Sequence, residues 1–185
     1  MISTSDFRKG VKIEYKGAPH EIVDYQHHKM GRGGAIIRTK LKNLITGSIF
    51  DDSFKGGEKF SAPNLEERTM QYLYKDDHYH FMDNESYEQT PLTSEQLGDA
   101  RKFLKENMEV KILFYSGSPI AVEVPMFVEL AIVKTDPGFK GDTASGGSKP
   151  ALLESGITVK VPFHLNEGDV IKIDTRTSEY IERVK

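Results

Sequence analysis

Apolar and polar residues alternate with a period near two through most of this chain. In the first third, "GVKIEYKG", "HEIVDYQHH", "GGAIIRTKLKN" and "GSIFDDSF" are β-branched or aromatic runs bounded by Gly, Pro or Asn, the signature of short strands and turns. They predict a small all-β barrel. The pattern continues in "RTMQYLYKD", "HYHFMD" and "SYEQTPL", where alternation marks half-buried strands. Then the period changes. In "LTSEQLGDARKFLKEN", Leu97, Ala100, Arg101 and Leu104 fall at helical spacing. Thr93 with Gln96 forms a capping-box pattern there, and Gly98-Asp99 reads as a break or second cap. "EVKILFY" and "SPIAVEVP" follow on either side of a "YSGSP" turn. Three strands, a helix and two strands is the order of an OB-type barrel.

A third strand-rich run closes the chain: "MFVELAIVKTD", a glycine-rich loop from Pro137 to Lys149, then "ALLESG", "ITVKVP", "DVIKID" and "YIERV". The expected fold class is all-β, with three small barrels in tandem over residues 1–63, 64–127 and 128–185. The same spacing also fits one larger sandwich, and periodicity does not separate the two.

Composition narrows the chemistry. The 185 residues include no cysteine, so disulfides, zinc-thiolate sites and thiol nucleophiles are excluded. The opening "MISTSDFRKG" has no apolar core of a signal peptide, and no apolar run approaches a membrane span, which points to a cytoplasmic protein without a membrane partner. The net charge of −3 hides an asymmetry. Residues 1–63 carry eleven Lys/Arg against seven Asp/Glu, whereas residues 64–127 carry six against twelve. A basic module beside an acidic one fits an oriented approach to a polyanion. Chance unevenness over solvated faces fits the numbers equally.

Most candidate sites have ordinary explanations. His78 and His80 share a strand face if "HYHFMD" is extended throughout, a spacing that chelates metal. No zinc-protease or EF-hand pattern accompanies them, and His20, His27 and His28 lie elsewhere. Asp76, Asp77, Asp83 and Glu85 offer paired carboxylates, though turn carboxylates explain them better. No GxSxG elbow and no phosphate-loop spacing occurs. No metal, cofactor or enzymatic activity is expected.

One stretch is unusual. In "HHKMGRGGAIIRTK" a single arginine, Arg32, stands between Gly31 and Gly33-Gly34. Flanking strands make this a hairpin, and glycine permits positive φ at its apex. The three glycines also strip side chains from around Arg32, leaving a thin backbone that carries one long cation suited to a phosphate- or ribose-lined crevice. Lys29, Arg38, Lys40 and Lys42 would supply a basic shank. The plain alternative is a glycine-rich turn with a solubilising charge.

The chain resembles the bacterial translation elongation factor P family along its whole length. The likeness is carried by "GRGGAIIRTKLKNL", "YLYKDDHYHFMDNESYEQ" and "KPALLESGITVKVPFHLNEGDVIKIDTRTSEYIERV". It implies an N-terminal SH3-like (KOW-like) barrel and two OB-fold barrels, arranged in an L that imitates transfer RNA. The implied function is non-enzymatic: ribosome binding between the peptidyl and exit sites beside peptidyl-tRNA, and stimulation of peptide-bond formation at consecutive prolines. Arg32 would point toward the peptidyl transferase centre.

Many members carry Pro-Gly-Lys-Gly at the tip with a modified lysine, where this chain has Met30-Gly31-Arg32-Gly33. The likeness is therefore to the branch whose tip arginine is rhamnosylated by an arginine rhamnosyltransferase using dTDP-rhamnose, with Lys29 as the competing position if the register is offset. Met30 in place of proline makes the loop entry less rigid, so a sugar would help to order it. Two further readings stay open here: a general single-strand RNA binder, with Tyr72, Tyr74, Tyr79 and Phe81 as stacking platforms, and an enzyme of unknown class.

Overall fold

The computed structural model describes residues 1–138 and 146–185. The central part of the glycine-rich loop expected from Pro137 to Lys149 lies outside the described residues. Among the described residues sixteen strands run in chain order. They are β1 (Ile2–Ser3), β2 (Lys12–Tyr15), β3 (Ala18–Met30), β4 (Gly34–Asn43), β5 (Ile49–Lys55), β6 (Lys59–Phe60), β7 (Leu65–Lys75) and β8 (Tyr79–Asp83), followed by β9 (Gln89–Leu92), β10 (Glu109–Tyr115), β11 (Ser118–Glu123), β12 (Phe127–Thr135), β13 (Ser148–Leu153), β14 (Thr158–Pro162), β15 (Val170–Asp174) and β16 (Glu179–Arg183).

The first barrel is an antiparallel sheet in the order β2-β3-β4-β5, with β1 paired to β6. Its turns follow from side-chain chemistry. Lys16 and Gly17 both take positive φ between β2 and β3, as a two-residue type I′ turn requires to match strand twist. Between β4 and β5 the Asn43 carboxamide accepts from the amides of Ile45 at 2.8 Å and Thr46 at 3.1 Å, closing the turn in place of backbone. Phe7, Ile13, Ile22, Ile37, Leu41, Phe54 and Phe60 form the buried core. Phe54 meets Phe60 and Tyr15 edge-on at 4.9 and 5.3 Å, the arrangement aromatic quadrupoles favour.

The other strands form two five-stranded sheets, ordered β11-β10-β7-β8-β9 and β14-β13-β12-β15-β16. Both read third-second-first-fourth-fifth from one end or the other, so separate barrels of one topology replace the single-sandwich alternative. Thr93 and Gln96 close their capping box, but the helix is shorter than the sequence predicts. The α-helical part is only Ser94–Leu97, and Gly98–Phe103 continue as 3-10 helix. Gly98 takes φ 55°, which an α-helix does not accept. Of the residues at helical spacing Leu97, Ala100 and Leu104 are buried, while the tighter turn leaves Arg101 exposed and buries Phe103 in its place. At "YSGSP", Ser116 and Gly117 both have positive φ, so this segment is the hairpin turn the sequence indicates.

Packing divides the described residues into two compact units, residues 1–67 with 113–121, and residues 68–112 with 122–185. Within the first, Tyr115 donates its hydroxyl to Glu14 at 2.5 Å and the Ser116 amide donates to the Asn64 carbonyl at 2.9 Å. Within the second, Phe103 is buried in the core built by Val128, Leu130, Ile132, Leu153, Val161 and Ile173. The Thr175 hydroxyl donates to the Pro125 carbonyl at 2.8 Å. The core of the last barrel is therefore completed by a side chain from the segment before β10. Phe103→Ala is expected to lower stability by about 3–5 kcal/mol, the range for emptying a buried phenylalanine site. Urea unfolding followed by circular dichroism checks this, and a loss below about 1 kcal/mol would show that Phe103 is not part of that core.

Candidate nucleic-acid interface

The hairpin of β3 and β4 is the longest ladder in the first barrel, in register from His20 opposite Asn43 to Met30 opposite Gly34. Its neighbours stop early. β2 pairs with it only as far as Glu21, and β5 only as far as Ile36. The last bond on the β5 side runs from the Gly56 amide to the Ala35 carbonyl at 2.8 Å. Beyond that point the sheet is two strands wide, and it ends in a 3-10 turn, Gly31–Gly33, with Arg32 exposed at the apex. Among the described residues nothing bonds to its guanidinium. Lys29 lies in the strand opposite Ala35, and Arg32 lies in the apex turn.

The glycines act differently from expectation. Only Gly34 takes positive φ, at 84°; Gly31 and Gly33 keep ordinary φ because a 3-10 turn, rather than a two-residue reversal, closes the hairpin. A Cβ built on Gly31, Gly33 or Gly34 would meet nothing within 4 Å. At Gly31 and Gly33, therefore, neither backbone conformation nor internal space demands glycine, and what these residues provide is a thin, bare outer surface around Arg32.

The shank cations do not share one surface. Side chains opposite each other in a ladder lie on the same face, and residues two apart repeat it. Arg38, Lys40 and Lys42 are exposed in alternation with buried Ile37, Thr39 and Leu41, so this row faces outward. Lys29 stands opposite Ala35, and His27 opposite Ile37, on the face that continues the core. The outward row is matched by acid: Lys40 sits in register between Asp24 and Asp51, and Lys42 opposite Glu21. Lys29 and His27 have no carboxylate in register. The alternation Tyr25, His27, Lys29 is legible in the sequence. Its phase relative to the barrel is not, because a register shift between Ile22 and Asp24 resets it.

Beneath the ribbon a polar group fixes its base. Tyr15 donates its hydroxyl to Asp52, which also accepts from the Ser53 amide at 2.9 Å, and Lys16 lies 3.8 Å from the same carboxylate. The Tyr15 hydrogen bond, then the backbone one, holds the Asp52 carboxyl below the usual carboxylate range. Burial first, then the bond to Asp52, raises the Tyr15 hydroxyl. His20 is buried, its Nδ1 3.0 Å from the Ala18 carbonyl, and it packs edge-on against Tyr15 and Phe50.

The other sequence candidates separate. His78 lies in a bend, not in a strand, because its amide donates to Asp76 at 2.8 Å and turns the chain there. His80 pairs with Asp76 at 2.7 Å and stacks on Tyr74 at 4.5 Å. His27 and His28 are exposed on opposite faces of β3. Among the described residues no three His, Cys, Asp or Glu side chains converge as a metal site. Asp83 accepts from the amides of Glu85 and Ser86, and Asp77 and Glu85 are exposed around these turns. The stacking platform fails: Tyr72, Tyr79 and Phe81 are buried core residues, and only Tyr74 of the four is exposed. No described helix is long and apolar enough to cross a membrane.

Comparison with known proteins covers nearly the whole chain. Residues 3–60 match the model described as elongation factor P (EF-P) KOW-like domain, residues 65–122 the elongation factor P (EF-P) OB domain, and residues 128–183 elongation factor P, C-terminal. Elongation factor P of Thermodesulfovibrio yellowstonii is 59% identical over 186 residues, covering 100% of both chains. That of Natranaerobius thermophilus is 56% identical over 100% of this chain and 99% of its own. Among solved structures, "Eukaryotic translation initiation factor 5A from Methanococcus jannaschii" superposes with a TM-score of 0.54 at 23% identity, covering 64% of this chain and 88% of that one. This last likeness is one of fold.

The Tyr15 and Asp52 shifts give a signed pH dependence. A hydroxyl with a raised folded pKa contributes stability that is complete below about pH 10, the unfolded tyrosine value, and lost as pH rises through the raised value. A carboxyl with a lowered pKa contributes stability above about pH 3.9 that is lost as pH falls through the folded value. Tyr15→Phe is therefore expected to flatten the fall of melting temperature above about pH 10, and to lessen the loss below about pH 3.9. Melts of both proteins across that range test it; parallel curves would refute the coupling.

Proposed function

We propose a function from one premise: this chain belongs to the elongation factor P family, whose members are translation factors and not enzymes. It binds the ribosome between the peptidyl and exit sites, beside peptidyl-tRNA, and stimulates peptide-bond formation at consecutive prolines. The observation that carries this reading is the hairpin tip. A two-stranded ribbon ends in one exposed arginine on bare glycine backbone, a shape that enters a narrow crevice without steric or conformational cost to the fold.

Proline explains why such a probe is useful. Its ring fixes φ and its nitrogen is a secondary amine, so consecutive prolines reach the attack geometry poorly as donor and acceptor. The ribosome performs the bond chemistry. The factor contributes position: a tip lying along the acceptor end of peptidyl-tRNA restricts that end to productive poses, a gain in orientation rather than in proton transfer. Arg32 points toward the peptidyl transferase centre, with five donors and a permanent charge for phosphate and ribose. Gly31, Gly33 and Gly34 let it approach.

The tip also supports a covalent extension. Arg32 is exposed and unencumbered, so a rhamnosyltransferase using dTDP-rhamnose would reach it without unfolding the barrel. A rhamnose there adds hydroxyl donors and acceptors and lengthens the probe. Intact-mass and peptide spectra of the protein from its own host are expected to show one deoxyhexose on Arg32; an unmodified Arg32 peptide would remove this part of the proposal.

In a reconstituted system depleted of the factor, native-host protein is expected to restore translation of a reporter with three consecutive prolines, and to leave a proline-free reporter unaffected. Arg32→Ala is expected to abolish the rescue while changing stability by no more than about 0.5 kcal/mol, as for an exposed side chain. Gly31→Ala, which meets no internal clash, is expected to fold normally and lose rescue. Full rescue by both variants would refute the role of the tip.

A further inference from the structure

We propose that the hairpin meets RNA with the face bearing Tyr25, His27 and Lys29, and that this face, rather than the Arg38, Lys40 and Lys42 row, receives the single-stranded end of an RNA. The proposal rests on the reading above that the hairpin approaches peptidyl-tRNA. Three observations carry it.

The first is charge compensation. Attraction to a phosphate backbone depends on cations that are free to replace its counterions. Directly opposed side chains in a ladder are about 4.5–5.5 Å apart at Cβ, so Lys40 between Asp24 and Asp51, and Lys42 opposite Glu21, have carboxylates as their neighbours in the sheet, although Asp24 itself forms its ion pair with Lys9 at 3.6 Å. Arg38 stands between Gln26 and Ser53, one step along the ladder from those two aspartates. Lys29 and His27 face Ala35 and Ile37, and Ile37 in turn faces Phe54. No carboxylate competes for them.

The second is the order of chemistry along the strand. From the barrel outward the face presents a half-buried tyrosine anchored on the core, then an imidazole, then an ammonium group, and finally the Arg32 guanidinium. Tyr25 and His27 are in edge contact with ring centroids 5.9 Å apart, so the imidazole is steadied by a ring that the core itself holds. Aromatic and imidazole faces suit unstacked bases, and the terminal cations suit phosphates. The opposite face carries Asp24, Gln26 and His28 along β3, so its one imidazole shares the strand with a carboxylate and has no aromatic partner in ring contact among the described residues.

The third is access. β5 ends opposite Ile36, so past that residue pair no third strand stands beside the ribbon. His27 and Lys29 are both exposed although they lie on the core side of the sheet. Lys29, opposite Ala35, lies past that end, whereas His27, opposite Ile37, still has Phe54 of β5 across the sheet; both stay open on the core-side face.

The test uses full-length protein and ribosomes stalled at a proline stretch with peptidyl-tRNA in place, comparing wild type with His27→Ala/Lys29→Ala and Lys40→Ala/Lys42→Ala. If wild type neither binds nor rescues, the proposed function itself falls, and this inference with it. Given wild-type rescue, the first variant is expected to raise the half-maximal concentration by about tenfold and to reduce the slope of log affinity against log salt by about 0.7 for the lost lysine–phosphate contact. The second is expected to cost no more than about twofold, with the slope kept. Lys29→Arg is expected to restore the slope on an unaltered fold. Equal losses in both double variants, a larger loss in the second, or a loss in the first without any change of slope would overturn the proposal, the last by pointing to a protein contact instead.

Discussion

The structure depends on one ladder being longer than the sheet that supports it. A two-stranded antiparallel ribbon in water is marginal, since each strand exposes one edge and little apolar surface is covered. The thirteen residues of β3 hold their register because Ile22, Ile37 and Leu41 are clamped in the aromatic core at the base. A slip by one residue would turn that whole set to solvent. The tip thus inherits its position from packing at the other end of the strand, and Arg32 needs no bond of its own to be placed. This separation leaves an exposed arginine where the fold asks nothing of it.

The same constraint divides the charge. Where the ribbon is part of the four-stranded sheet, each cation has strand neighbours on both sides, and carboxylates fill several of those positions. Where the third strand ends, pairing carboxylates run out. Free positive charge therefore increases toward the tip, although the barrel as a whole is only modestly basic. In the acidic middle segment, Asp76 and Asp83 accept backbone amides at turns.

The two remaining sheets share one strand order, and much of this was legible. Alternation located nearly every strand, and the capping box at Thr93 and Gln96 marked the helix start correctly. The helix length was misjudged because helical spacing at Arg101 was weighed without the conformation of Gly98. Buried Phe103, which the periodicity passed over, turned out to complete the core of the last barrel. Likewise Tyr72, Tyr79 and Phe81 form an aromatic pattern that looks the same whether it serves a core or a binding platform. Only the direction each face takes after folding separates those uses.

The sequence by itself determined the local facts: which segments are strands, where Gly, Asn and Ser close turns, and that one arginine stands isolated on glycine. These depend on backbone conformation and nearest neighbours, which a linear chain already contains. Tertiary structure decided where β2 and β5 stop beside the hairpin, how the shift between Ile22 and Asp24 resets the faces, and therefore which cations are matched by carboxylates. Those outcomes rest on pairing between residues distant in the chain. A one-residue change in register exchanges inside for outside, and no local pattern records that choice.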